Sequence, residues 1–432
     1  MTQKELVQSI LTIPAESQTV EFKRLNGSKI VSKVTETIVA MANTDGGTIV
    51  LGISDPEYTS IKSYDRIFGI EENADNFDAI GREIQRIIPP LASIWPPMKL
   101  AVSEVGRNIA LIFVPKATET FHSVDNHVWV RLEKSNKLLT PQEVVKFSYA
   151  KGFEKADKEL VDVDFNLLNT DEFKQWKENR KIKDADIKII LEKTGLARKN
   201  KEGVLLPTRA AVLLFAEFPN DLMETKCAVR VFQYTGTIET IGETLNLIST
   251  PKNINGPIVK QIKKAHEYVL TLLRSGIKIP SGFTTQYQIP ERAVKEAITN
   301  AVIHRDYYIK RDIEIKIFED RVEVESPGLF PYNITRTNIG LVRAEGYRND
   351  LLVKHLREFP SPPNLDQNEG VKAMRAEMKA QNLYPPIFWT YPHLQNAVRV
   401  ILLNEKVASE WEKVSSYLEK KKYITNKEAR KL

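Results

Sequence analysis

Apolar residues recur along this chain with two periods, and the switches between them sketch its elements. "QTVEFKR" (18–24) alternates, with Val20 and Phe22 on one face and Glu21 and Lys23 on the other, which is the period of a strand. "SKIVSKVTETIVAMA" (28–42) then places Ile30, Val34, Ile38 and Met41 at helical spacing. "NTDGG" (43–47) follows, its paired glycines suited to a helix stop and a sharp turn. "TIVLGISD" (48–55) reads as a buried strand ending in Asp55, and "NIALIFVP" and "HVWVRLEK" read as further strands. In the last of these, Val128, Val130 and Leu132 are expected to point inward, with Trp129 and Arg131 on the other face. The first ~150 residues therefore predict a compact α/β unit.

Residues 151–235 read as a mostly helical connector ending in the strand "AVRVFQY". After the loop "STPKNINGP", "IVKQIKKAHEYVLTLLR" is a long amphipathic helix. "PERAVKEAITNAVIHRDY" is a second, with Pro290 placed for its first turn. "DIEIKIFED" and "RVEVESP" are strands joined at Glu319-Asp320-Arg321, a hairpin pattern. A helix, the Pro-rich "EFPSPPNLDQNEG", a short helix and the strand "AVRVILL" bring the pattern to residue 404. Residues 405–432 predict a helix with Trp411, Val414, Tyr417 and Leu418 on one face, then a turn and a second helix capped at Thr425 or Asn426. That is how a helix-turn-helix begins, and equally how a helical hairpin begins. The pattern is still periodic at residue 432, so the natural protein is expected to continue. The fold class expected is α/β (α+β), in several domains.

Composition narrows this little. Of 432 residues, 42% are apolar and 27% charged, the balance of a globular protein with a large core. The single cysteine, Cys227, excludes a disulfide within the chain and fits a reducing cytoplasm. No apolar signal core and no bilayer-length run is present, so no membrane partner is expected. A net charge of +6 permits contact with nucleic acid without establishing it.

The chemistry concentrates near the start, in "ESQTVEFKR" (16–24). Glu21 and Lys23 share a strand face. Asp55 ends a neighbouring strand if the helix between them is a crossover, and Glu16 precedes the first strand closely enough to curl back. Three carboxylates meeting there form a hard-oxygen site for Mg2+ or Mn2+, with Lys23 and Arg24 beside it to neutralise phosphate charge. Solvated surface acids are the alternative that spacing leaves open. Arg131, Lys134 and Lys137, on or beside the tip "RLEKSNK", suit backbone phosphates or a solubilising turn.

"ESQTVEFKR", "ETIVAMANTDGGTIVLGISD" and "HVWVRLEKSNKLLTPQEV" together resemble the Schlafen-type AlbA-like domain over residues ~14 to 147. The resemblance implies a metal-dependent endoribonuclease acting on tRNA or other structured RNA, with Glu16, Glu21 and Asp55 as metal-holding acids and Lys23 as the nearby base. Defence against phage is the setting it implies. It equally covers bacterial proteins taken as DNA-binding transcriptional regulators. No second "EFK…GG" copy is present, so a homo-oligomer would have to supply the second jaw of an RNA clamp.

"EAITNAVIHRDY" sets Glu296, Asn300 and His304 in one helical row, where an asparagine oxygen can ligate Mg2+ and a glutamate can orient water. With the strands that follow, this stretch resembles a GHKL-like ATPase domain. The resemblance implies ATP as cofactor, Glu296 as general base and Asn300 as the metal position. Gly328 in "ESPG" and Gly370 in "NEGVKAM" stand alone where the family has glycine-rich boxes. Fewer glycines leave fewer backbone amides to cradle phosphates, so ATP hydrolysis is expected to be weak or absent. The domains expected are 1–150 Schlafen-type, 151–235 connector, 236–404 GHKL-like, and 405–432 the beginning of a winged-helix or helix-turn-helix.

Overall fold

The structure is a computed structural model describing residues 2–57, 63–91, 94–223, 225–240, 246–277, 284, 286–363 and 370–408. It divides into two units. One runs to Glu154 and includes Leu329–Thr337 and Ala344–Arg348. The other comprises Lys155–Gly328, Asn338–Arg343 and the chain from Asn349 on. The helix-turn-helix expected at 405–432 falls almost wholly outside the described residues.

The N-terminal unit begins α1 (Gln3–Leu11), β1 (Val20–Lys23), α2 (Ile30–Ala42), β2 (Gly47–Leu51) and α3 (Ala74–Ile84). It continues β3 (Met98–Val102), β4 (Arg107–Val114), β5 (Trp129–Leu132), β6 (Ser135–Leu138) and α4 (Pro141–Lys151). The strand order is β1-β2-β4-β3, with β1 parallel to β2. The helix between them is thus the crossover the sequence predicted. Strand alternation sorts the core onto two faces. Ile49, Leu51, Ala110 and Ile112 pack with Val34, Ile38 and Met41 of α2 and Ile80 and Ile84 of α3. Phe22, Val50, Ile109 and Leu111 pack with Val7 and Ile10 of α1. β1 is an edge strand covered on both faces, so the Glu21 side is as buried as the Phe22 side.

The turn between α2 and β2 needs both of its glycines. Gly46 has φ 73°, and a Cβ there would stand 2.7 Å from the Val114 carbonyl oxygen. A Cβ on Gly47 would stand 2.6 Å from the Thr19 carbonyl oxygen. Below this turn lie two lysines. Lys151 Nζ donates to the Asn43 and Thr44 carbonyls at 2.7 and 2.6 Å, and Lys116 Nζ donates to Phe330 at 3.0 Å and to Ile334. Burial pushes Lys116 down to about 8 and Lys151 well below the ordinary lysine range.

The second unit opens with α5 (Asp171–Asn179), α6 (Ile187–Lys193), the hairpin β7 (Ala197–Lys199) and β8 (Leu205–Pro207), α7 (Arg209–Phe215) and α8 (Pro219–Leu222). Then come β9 (Val229–Gln233), β10 (Lys252–Ile254), α9 (Ile258–Ser275), α10 (Glu291–His304), β11 (Ile313–Ile317) and β12 (Arg321–Pro327). α11 (Asp350–Leu356), α12 (Gly370–Ala380), β13 (Ile387–Trp389) and β14 (Ala397–Leu403) complete it. Pro290 is the N-cap of α10, one position before the first turn expected for it. A six-stranded sheet runs β10-β9-β11-β12-β14-β13, antiparallel except where β9 meets β11. Ile313, Ile315 and Ile317 alternate with charged residues along β11 and are fully buried, as binary patterning demands. α10 packs against α9, β12 and α12.

Candidate active site

Edge strand β1 carries the centre of the site. Glu21 and Lys23 point the same way, and Lys23 Nζ pairs with Glu21 Oε1. The preceding segment curls back as predicted: Glu16 Oε1 accepts from the Phe22 amide at 3.0 Å and lies 3.4 Å from Lys23 Nζ. One ammonium therefore touches both carboxylates. Glu16 and Glu21 are only 8% and 3% exposed, so these are not solvated surface acids.

Arg131 completes the arrangement from β5. Its Nη2 pairs with Glu21 Oε2, its Nη1 donates to Asn136 Oδ1 at 3.0 Å, and its backbone N–H donates to Thr44 Oγ1 at 2.8 Å. Gln18 Nε2 donates to its carbonyl at 3.0 Å. Arg131 was expected to face phosphates from a hairpin tip; it is instead 1% exposed. The reason is the β5–β6 hairpin, which lies on α2 and turns the Arg131 face inward while Leu132 emerges, 39% exposed. A buried guanidinium requires a carboxylate, and Glu21 is that carboxylate.

Asp55 follows β2, on the side of the carboxyl ends of the parallel pair, where α/β sheets commonly bind ligands. Its Oδ1 accepts from the Glu57 amide at 2.9 Å. Burial pushes the Glu16 carboxyl above the usual range; Lys23 opposes this, and the charges of Glu21 and then Asp55 add to it, with the Phe22 amide opposing between them. Asp55 thus acts on Glu16 through its field. Among the described residues no three acidic, histidine or cysteine side chains gather into a metal-holding group. Two carboxylates sharing one cation is the donor set present. It fits Mg2+ or Mn2+, which are often held by one or two carboxylates with water and phosphate filling the shell.

The flanking bases are paired with surface acids. Arg24 Nε donates to Glu72 at 2.7 Å and its guanidinium lies 3.5 Å over the Phe68 ring. Lys134 pairs with Glu57 at 2.5 Å and Lys137 with Glu143 at 2.7 Å. Exposed pairs of this kind are worth ~0–1 kcal/mol, so a phosphate can replace the acid at little cost. Arg66 was not singled out in the sequence; its guanidinium donates to the Ser54 carbonyl and feels Asp55.

In the second unit, Glu296 and Asn300 lie one turn apart on α10, and the first residue of α12 stands against them. A Cβ on Gly370 would fall 2.6 Å from Glu296 Oε2 and 3.1 Å from Asn300 Nδ2. Only a glycine allows this approach without displacing the pair. Burial raises the Glu296 carboxyl, with Arg292 opposing. Gly328 directly follows β12, buried, its amide donating to the Asn396 carbonyl at 2.9 Å.

The first unit thus carries a buried acid pair at the parallel edge of its sheet, and the second sets the Glu296–Asn300 pair on a helix packed against its own sheet. Residues 16–140 match the family model "Schlafen, AlbA_2", and residues 310–402 match "Putative ATP-dependent DNA helicase recG C-terminal". Both family resemblances read from the sequence stand, and together the two matched domains mark a nucleic-acid-binding, ATP-related protein. No curated protein matches the chain. Among solved structures it is similar to the DIP2311 protein from Corynebacterium diphtheriae, at 21% identity over 96% of this chain and 70% of that one, with a TM-score of 0.42.

Proposed function

We propose that the protein is a Schlafen-like, metal-dependent endoribonuclease for tRNA or another structured RNA, gated by ATP in its second unit. The observation that carries this reading is the convergence of Glu16 and Glu21 on one cation, Lys23 Nζ, with Glu21 pinned by Arg131. A structural core would gain more from apolar side chains of the same volume than from this charge group.

In this reading Glu16 and Glu21 hold the divalent cation, and Asp55 adds negative charge from beyond β2. The bound cation supplies Lewis acidity and a water of lowered pKa. Lys23 neutralises charge developing on the phosphate. Arg24, Lys134 and Lys137 hold flanking backbone phosphates, exchanging their present carboxylate partners for the ligand. Arg131 holds Glu21 in place and does not touch RNA. In the second unit Asn300 takes the magnesium of bound ATP, Glu296 is the general base, and Gly328 and Gly370 allow the phosphates to approach. With single glycines at both places, ATP is bound more than it is turned over. A second copy of the chain supplies the other jaw on the RNA, in the cytoplasm.

The test is incubation of the protein with tRNA and Mn2+, with EDTA controls, with and without ATP. Cleavage that requires Mn2+ and changes with ATP supports the reading. Absence of cleavage together with salt-sensitive duplex DNA binding would instead mark an ATP-binding transcriptional regulator.

A further inference from the structure

We propose that Lys23 is a latch: its ammonium holds the seat between Glu16 and Glu21 while no divalent cation is bound, and leaves it when one enters. The inference rests on the metal-dependent reading above and adds the regulation of that site.

Three observations lead to it. First, Lys23 Nζ is the cation that both carboxylates share, reaching Glu21 Oε1 and, at 3.4 Å, Glu16 Oε1. A positive charge already sits where two hard oxygens converge, and a metal would compete for those oxygens. Second, the two cations of the site differ in freedom. The Arg131 side chain is 1% exposed and tied to Glu21, Asn136 and Ser17, so it has nowhere to go. The Lys23 side chain is 22% exposed, at the last residue of β1, on a flexible stem that can carry its charge to water. Third, the acids do not depend on Lys23 for position. The Phe22 amide holds Glu16 and Arg131 holds Glu21. The seat therefore persists once Lys23 leaves.

The consequence is a linked exchange. Entry of a doubly charged ion expels a singly charged one. The expelled ammonium is then free to meet a phosphate beside the site. Because Lys23 and metal compete for the same oxygens, removing the lysine must tighten metal binding even as it weakens RNA cleavage. A residue that merely supports the fold would weaken both.

The experiment uses the full chain. Mn2+ binding is followed by the electron paramagnetic resonance signal of free Mn2+ for wild type, Lys23→Met and Lys23→Gln, with Glu21→Gln as control. Thermal melting by circular dichroism verifies folding, and Lys23→Gln, which keeps a hydrogen-bond donor, stands in if Lys23→Met does not fold. The expected result is Mn2+ binding about tenfold tighter in the Lys23 variants, with slower tRNA cleavage. If wild type binds Mn2+ and cleaves but the variants bind Mn2+ no more tightly, the latch is overturned and the nuclease reading stands. If wild type neither binds Mn2+ nor cleaves, the nuclease reading falls and takes the latch with it.

Discussion

Glu21 and Asp55 belong to the same candidate site but stand very differently in the fold, and their substitution should separate chemistry from stability. Glu21 is 3% exposed and faces both Lys23 and Arg131. Glu21→Ala leaves a buried guanidinium without its carboxylate, a loss of roughly 3–5 kcal/mol. Asp55 is half-buried and caps only a local turn, so Asp55→Ala should cost about 1 kcal/mol or less. Urea denaturation of the two variants checks this, and a larger loss in Asp55→Ala would contradict it. The Glu21–Lys23 pairing was legible in the sequence because strand geometry dictates it at a spacing of two. The Arg131 pairing was not, because 110 residues separate it from Glu21 and only the packing of the hairpin on α2 turns it inward. Lys116 and Lys151 were missed for the same reason: nothing in the local pattern marks a lysine whose partners are distant backbone carbonyls.

Among the elements, the β1–α2–β2 crossover sets the site, and its turn is its most sensitive point. Gly46→Ala should destabilise the N-terminal unit by about 1–3 kcal/mol from its left-handed backbone alone, with more from the approach of the Val114 carbonyl. Chemical denaturation measures this; an unchanged midpoint would show that the turn relaxes freely. These glycines, the crossover helix, the long helices α9 and α10 and the β11–β12 hairpin could all be read from periodicity and turn chemistry. The strands β7, β8, β10 and β13 could not, since three residues carry no periodicity, and β10 lies inside the stretch "STPKNINGP" read as a loop. Their pairing is a consequence of tertiary neighbours.

Across the whole molecule, buried bases make both units more stable as pH rises, each in its own window. Lys116 titrates at about 8 when folded and at 10.5 as an unperturbed lysine, so the unfolded chain binds more protons between those values. The N-terminal unit should gain stability as pH rises through that window, and Lys116→Met should flatten the gain. In the second unit, burial pushes His266 down to about 4 and His355 down to about 3 from 6.5. Their contribution is present above pH 6.5 and is lost as the pH falls toward these values, because the unfolded chain takes up the protons first. Thermal melts from pH 4 to 10 report both slopes. A second unit indifferent to acid in this range would show those histidines to be solvated.

The central claim concerns a cation held by acids at the edge of β1, and cleavage of tRNA in Mn2+ by wild type and Asp55→Ala, side by side, tests it most directly. Asp55→Ala should fold like wild type, yet cut at least about a hundredfold more slowly, in line with a weaker hold on the cation that stabilises charge at the reacting phosphate. Equal cutting by the two proteins, or cutting by wild type that persists undiminished in EDTA, would contradict the account.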